Sequence, residues 1–293
     1  MDLQDLKIFQ IVAQEQSISK AAQKLNYVQS NVTNRIKQLE KELHTTLFYR
    51  HSRGVQITSA GKTLLSYTEK ILHMLDETIK AVRNETSIVT GSLSLGSTES
   101  TAAVRLPPVL TQYCQTYPQV DCSLETASST ALVEHVFNYK LDGAFVPDPI
   151  QHPDLSTIPI WHEELVVVSH LSETDPISLL QQKPILVFGV GCAYRARLEK
   201  WLHEAGIIPK LFREFSSIDT ILGCIQAGLG IGITTRSILE KYQQYSPDAL
   251  LYPHSLPPSF AQVCISFIHR HDVFMSKALH AFIQLIKKQD QLQ

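Results

Sequence analysis

Residues 18–53 read ISKAAQKLNYVQSNVTNRIKQLEKELHTTLFYRHSR. Two short amphipathic helical patterns, parted by a brief polar break, precede a β-type segment that carries two arginines. Between positions 17 and 53, seven Lys/Arg (Lys20, Lys24, Arg35, Lys37, Lys41, Arg50, Arg53) face two acids, Glu40 and Glu42. That local balance of +5 sits in a chain of formal charge −2. A small basic helical unit on an otherwise acidic chain is the electrostatic footprint of DNA binding.

Leu3, Leu6, Phe9 and Ala13 recur at helical spacing and predict a first amphipathic helix. After the polar residues 14–17, Ser19 is the expected N-cap of a helix over 20–25, with Ala21, Ala22 and Leu25 inward. Asn26 and Tyr27 make a tight connection to a third helix, whose buried stripe is Val32, Ile36, Leu39 and Leu43. Its outward face carries Ser30, Thr33, Asn34 and Lys37 at i, i+3, i+4 and i+7, with Gln29 at the entry and Arg35 on the flank. Gln and Asn pair bidentately with adenine, Ser and Thr bond bases or phosphates, and Lys and Arg suit phosphate or guanine. A solvated polar face is the ordinary account of such a pattern. The small-residue helix before it, the tight turn and the positive charge favour a base-reading helix instead. Beyond it, Leu47-Phe48-Tyr49 and Val55-Gln56-Ile57 flank His51-Ser52-Arg53-Gly54, a hairpin from which Arg50 and Arg53 project towards backbone or minor groove. The expectation is a winged helix-turn-helix over 1–58.

A long helix follows over 59–87, capped by Thr58. Leu65, Thr68, Leu72, Leu75, Ile79 and Val82 hold a 3-4-3-4-3 spacing, which Leu64 and Ile71 widen. This seam predicts pairing of two chains, which places two recognition helices about one DNA turn apart on a dyad-symmetric site.

Residues 1–62 carry a net +4, leaving −6 for 63–293, so the basic end must make any polyanion contact. No apolar run approaches the roughly 20 residues that span a bilayer. The start, MDLQDLKIFQIV, lacks a signal peptide's basic region, which makes the cytoplasm the expected compartment and no membrane partner. The five cysteines (Cys114, Cys122, Cys192, Cys224, Cys264) are widely spaced without a C-x-x-C pair, neither a disulfide framework nor a zinc site. His162, His170, His269 and His271 lie on or beside strands, but no carboxylate or Cys stands at ligand spacing. No metal and no cofactor are expected.

Residues 88–293 alternate apolar runs (93–95, 120–125, 143–146, 165–169, 185–188, 230–234) with helical patterns, which argues α/β with mostly parallel sheets. Ligands of such folds bind outside the carboxyl ends of strands. Polar clusters stand there: Gly96-Ser97-Thr98-Glu99-Ser100-Thr101, Ala127-Ser128-Ser129-Thr130, and residues 188–195, which end in Tyr194 and Arg195. Capping chemistry explains each alone; their convergence on equivalent strand ends favours one crevice. No G-x-S-x-G, P-loop, H-E-x-x-H, paired acid and base or activated nucleophile supports an enzyme, and GLGIG at 228–232 turns from helix to strand, the wrong way for a phosphate loop.

Taken in order, Leu6 to Phe9, AAQKLNYVQSNVTNRIKQLEKEL, LFYR, RGVQITSAG and the long helix resemble the LysR-type transcriptional regulators over the full length. That pattern has Ser where Val28 stands and Arg or Lys where Asn34 stands; Ser30 and Thr33 fit it. The resemblance implies a two-lobed α/β effector domain like a periplasmic binding protein, with lobe 1 about 88–162 and 265–293 and lobe 2 about 163–264. It also implies a small, often anionic effector held between the lobes, a homodimer or homotetramer, and RNA polymerase as a partner. Carried residue by residue, Ser97, Thr98 and Ser100 match the loop after the first strand, and Ser128 and Ser129 the loop after the second. Arg195 and Tyr194 are the candidates for a carboxylate and a ring or hydroxyl contact.

Overall fold

Helix α1 (Leu3–Glu15) starts from a reciprocal cap: the Asp2 carboxylate accepts from Asp5 N at 2.7 Å and the Asp5 carboxylate from Asp2 N at 3.0 Å. The computed structural model describes residues 1–51, 54–83, 88–150, 152–172, 175–272 and 275–290. The chain folds as two compact units, Met1–Thr86 and Ser87–Gln293.

In the first unit, α2 (Ile18–Lys24) is capped by Ser17, whose Oγ accepts from Lys20 N at 3.4 Å. The cap thus lies two residues before the expected Ser19. Ser17 has the extended backbone an N-cap needs, whereas Ser19 is already in the first turn and donates its hydroxyl to the Gln29 side chain at 3.1 Å. Asn26, at φ 55°, turns the chain, and Tyr27 N donates to Ala22 O at 2.9 Å before α3 (Gln29–Glu42) begins. Strands β1 (Phe48–His51) and β2 (Gly54–Ile57) pair antiparallel as the wing. Phe9, Val12, Ala21, Val32, Ile36, Leu39 and Phe48 close one core, with the Phe9 and Phe48 rings 5.3 Å apart. Burying each large apolar side chain contributes roughly 1.5–3 kcal/mol.

Thr58 Oγ1 then accepts from Gly61 N at 2.9 Å and opens α4 (Ser59–Arg83). Gly61 is required by a close approach, because a Cβ there would run into the Leu47 carbonyl oxygen. Leu64 and Leu65 pack on the core and Thr68 is buried, but Tyr67 and, further along, Ile71, Met74 and Ile79 are exposed. The Val82 side chain, expected in the same seam, lies outside the described residues, as do positions 84–87.

In the second unit the elements run β3 (Gly91–Ser97), α5 (Glu99–Val104), α6 (Leu106–Thr116), β4 (Val120–Thr126), α7 (Ser129–Phe137), β5 (Gly143–Pro147), β6 (Leu155–Ser169), α8 (Pro176–Gln182), β7 (Ile185–Phe188), α9 (Ala193–Glu204), β8 (Phe212–Phe215), α10 (Ile218–Gln226), β9 (Ile231–Thr235), α11 (Arg236–Tyr245), β10 (Tyr252–Ser255), α12 (Pro258–Ala261), β11 (Gln262–Arg270) and α13 (Lys277–Asp290). Strand order is β4-β3-β5-β11-β6-β9-β7-β8, with β10 on β6. Each half is a parallel α/β layer: β3 pairs with β4 and β5, and β7 with β8 and β9. Strand β6 joins the halves, pairing antiparallel with β11 as far as Glu164 and with β9 from Leu165.

The expected mostly parallel sheet is therefore a mixed one. Four of the eight strand pairings among the described residues of this unit are antiparallel, because the two crossing strands, β6 and β11, run against their neighbours. Beneath the first half, Phe145 lies between Trp161 at 5.2 Å and Phe267 at 4.9 Å, and Tyr113 meets Phe282 edge-on. A Cβ on Gly143 would enter the Phe267 ring.

Candidate nucleic-acid interface and effector cleft

The third helix divides its residues by face. Val32, Ile36 and Leu39 are no more than 1 % exposed, while Gln29, Ser30, Asn34 and Lys37 are exposed and Thr33 is half-buried. Val28 caps the helix through extended backbone alone, without a side-chain hydrogen bond. Thr33 Oγ1 donates back to the Gln29 carbonyl at 2.9 Å, and the Gln29 side chain holds the Ser19 hydroxyl. Among the described residues no hydrogen bond or ion pair engages the side chains of Ser30, Asn34 or Lys37.

Arg35 is placed differently. Its guanidinium donates to Asp5 at 2.8 Å and to Asp2 at 3.3 Å, and these carboxylates raise its pKa further. It therefore ties α3, through Nη1, to the start of α1, an internal contact that its expected place on the flank among the DNA-binding residues did not include. The wing is anchored by Glu40, whose carboxylate accepts from Leu47 N at 2.8 Å and Phe48 N at 3.2 Å. Arg50 is exposed and lies 3.9 Å from the same carboxylate, a loose contact that leaves it turned to solvent. Gly54, at φ 141°, lets the wing approach the α1–α2 turn, where Val55 N donates to Gln16 O at 2.9 Å. Arg53 lies outside the described residues.

In the second unit, the carboxyl ends of β3, β4, β7 and β8 open on a cavity of about 640 Å³. Thr98, Ser100, Ser128, Ser129 and Tyr194 line it, together with Glu99, Phe188, Gly189, Val190, Cys192, Glu214, Phe215, Ser216 and Thr220. Several ties cross between the layers. Glu99 Oε1 accepts from Ile218 N at 3.1 Å, Thr130 N donates to Gly191 O at 3.4 Å, and Arg105 Nε meets Glu163 Oε1 at 2.6 Å. Gly191, at φ 96°, makes the second possible, since a Cβ there would strike Thr130 Oγ1.

Two expected residues lie elsewhere. Ser97 is fully buried and its hydroxyl donates to the Thr98 carbonyl at 3.0 Å. Arg195 is turned away from the cavity: it donates to Glu199 at 2.8 Å, to the Phe188 carbonyl at 3.2 Å and to Glu214. Its Nε and Nη1 are engaged within its own lobe, and the residue does not line the cavity.

Desolvation dominates the electrostatics of the cleft. Burial raises the Glu99 carboxyl above the usual range, helped by Asp219 and opposed by the Ile218 N–H. Burial also raises the Tyr194 phenol strongly, and the Cys192 thiol despite two backbone N–H donors. Cys192 is thus a neutral helix cap rather than a reactive thiolate.

A model described as "LysR substrate binding domain" matches residues 88–291, and one described as "Bacterial regulatory helix-turn-helix protein, lysR family" matches residues 3–62. The chain belongs to the LysR family. Over 283 residues it is 44 % identical to the uncharacterized HTH-type transcriptional regulator YusT of Bacillus subtilis, covering 97 % of this chain and 94 % of that protein. Over 285 residues it is 43 % identical to the HTH-type transcriptional regulator GltR of the same organism, covering 97 % and 95 %. In fold it matches CbnR, solved in complex with its target DNA, with a TM-score of 0.73 at 22 % identity over 98 % of this chain and 99 % of that one. A full-length OxyR variant of Pseudomonas aeruginosa gives the same score at 21 % identity, over 100 % and 95 %. The chain is a LysR-type transcriptional regulator, with an N-terminal helix-turn-helix and a two-lobed α/β substrate-binding domain.

The LysR cleft contains residues that the sequence alone did not disclose. Glu214 and Phe215 end β8, and Ser216 and Thr220 follow it; this four-residue strand, FREF, sets two charges between two rings and leaves no apolar run. Its signal is the polar Ser216-Ser217 pair before the apolar helix Ile218–Gln226. Glu99 stood inside an expected Ser/Thr cluster, but its bond to Ile218, 119 positions away, is visible only in three dimensions. Asp2 and Asp5 were readable as an N-terminal cap, though not as the pair that holds Arg35.

Proposed function

We propose that this LysR-type regulator reads a dyad-symmetric DNA site with Gln29, Ser30, Thr33 and Asn34 in the major groove. Lys37, Arg50 and Arg53 clamp phosphates, and Arg35 supports the reading helix from behind. Two chains pair through α4, whose exposed Tyr67, Ile71, Met74 and Ile79 form an apolar face that water would otherwise cover. Pairs of pairs give the tetramer. A small effector held by Thr98, Ser100, Ser128, Ser129 and Tyr194 binds two oligomer conformations with different affinity and so shifts the spacing of the reading helices. The chain catalyses no reaction, acts in the cytoplasm where its DNA lies, and has RNA polymerase as its protein partner. Relatives named as transcriptional regulators support these parts of the reading.

The observation that carries it is the division of α3 into a sealed apolar stripe and an exposed, uncommitted polar face. Selection of bound duplexes from a randomised pool by the full-length protein tests it. The expected product is a palindromic motif with half-sites about one turn, roughly 10 bp, apart or a multiple of it. A pool that enriches no motif, or one without a dyad, contradicts it.

A further inference from the structure

The family resemblance leads to an anionic effector, yet the cleft offers an anion little. Three helices of nine or more residues, α7, α9 and α10, begin at its wall, where free N–H groups ordinarily hold carboxylates or phosphates. Here three of those donors, on α7 and α10, already have internal acceptors. At α7, Ser128 Oγ accepts from Ala131 N and Gly191 O from Thr130 N. At α10, the chain supplies its own anion, Glu99, to Ile218 N.

Charge points the same way. Glu99 and Glu214 line the cavity, and among the described residues no Lys or Arg does. Glu214 is neutralised by Arg195, which stands behind it. Glu99 meets no cation among the described residues; its charged neighbour is Asp219, and burial and that aspartate together disfavour its ionised form. Deeper in the wall, Ser129 Oγ and Tyr194 Oη belong to residues only 6 % and 5 % exposed. Neither completes a hydrogen bond among the described residues, although the Thr101 hydroxyl lies beside the phenol. Leaving a buried polar atom unpaired costs about 1–3 kcal/mol, so these two await a partner.

We propose that the effector is a small amine, whose ammonium or amidinium group pairs with the Glu99 carboxylate, whose own polar group reaches Ser129 or Tyr194, and whose carbon skeleton lies against Phe188 and Phe215. The ligand's cation supplies the charge that Glu99 lacks in the empty cleft. Because Glu99 also holds the start of α10, ligand charge is felt at a contact between the two lobes. This deepens, and rests on, the reading of this cleft as the effector site.

The test uses the full-length protein and three skeletons, each as amine, alcohol and carboxylate: benzylamine, benzyl alcohol and benzoate; hexylamine, hexanol and hexanoate; tyramine, tyrosol and 4-hydroxyphenylacetate. Thermal shift at pH 7 and millimolar probe ranks them, and calorimetry follows the strongest. Amines stabilise most and carboxylates least. Glu99→Gln, whose amide oxygen still accepts from Ile218 N, weakens the amine about tenfold or more and leaves the alcohol unchanged. Circular dichroism confirms that the variant is folded. Carboxylates that match or exceed the amines overturn the charge assignment while leaving the cleft as effector site. Amine binding that persists in Ser129→Trp, where an indole fills the cavity, overturns the site as well. No stabilisation by any probe also counts against the proposal.

Discussion

The two units hold their polar residues in opposite ways. In Met1–Thr86, the residues proposed to read bases stand on one helical face, within nine positions from Gln29 to Lys37, with Arg50 on the wing strand, and the charge there is positive. In Ser87–Gln293, the cleft draws on strand ends from Thr98 to Thr220, its polar groups run from buried Ser100, Ser129 and Tyr194 to exposed Glu214, Ser216 and Thr220, and its carboxylates are the charged groups that line it. The difference follows from the ligand. A duplex is too large to enclose and is met by a convex, solvated, cationic surface. A small molecule must be surrounded, so its site is assembled from distant segments and desolvated.

The largest expected effect concerns the scaffold beneath the cleft. Gly143→Val forces a branched side chain into the Phe267 ring and should lower stability by about 3 kcal/mol, measured by denaturant unfolding; an unaffected midpoint denies the aromatic core its role. On the DNA side, Asn34→Ala should relax preference at one base pair of each half-site by about 1–3 kcal/mol. Competition binding across single-base variants of the selected site reads this, and uniform weakening would make Asn34 a phosphate contact instead. Arg35→Ala sharpens the line between reading and support. It strips the buried Asp5 of its cation, so the first unit should unfold at a lower temperature while the salt dependence of DNA binding stays the same. A shallower salt slope in that variant would return Arg35 to the DNA face.

The smallest effect is the pH dependence of Glu99. Its folded pKa is raised above the unfolded value, so its stabilising contribution is present in full below the ordinary glutamate value of 4.5. It is lost as pH rises through the folded pKa. At pH 7 the ionised group is therefore a liability, and Glu99→Gln should raise the melting temperature of the empty protein by about 2 °C or less. The gain should vanish towards pH 4; a variant less stable at pH 7 would show that the Ile218 contact outweighs desolvation.

How much could be read from residues alone follows the same division. Val32, Ile36 and Leu39 repeat at helical spacing, so the buried and exposed faces of α3 were legible from a dozen positions. The cap of α2 lies two residues from its expected place because Ser17 and Ser19 are chemically equal candidates and only backbone geometry separates them. Arg35 carries the charge of a phosphate contact, and nothing local discloses that Asp5, thirty positions earlier, claims it. In the body, strand ends rich in Ser and Thr marked part of the cleft. Ser97 falls outside it because one residue's shift along β3 turns a side chain from cavity to core. Arg195 falls outside it because its partner Glu214 sits on a neighbouring strand. The antiparallel crossing of β6 and β11 was hidden too: their pairing spans about a hundred positions and leaves no periodic mark.

The reading helix and wing carry the central claim, and the salt dependence of DNA binding tests it most directly. Affinity of the full-length protein for its selected site, measured from low to physiological salt, is compared with that of a Lys37→Ala, Arg50→Ala double variant. The expected result is weaker binding with a slope of log K against log salt that is shallower by about 2 per protomer. An unchanged slope and affinity would contradict the assignment of this surface to DNA.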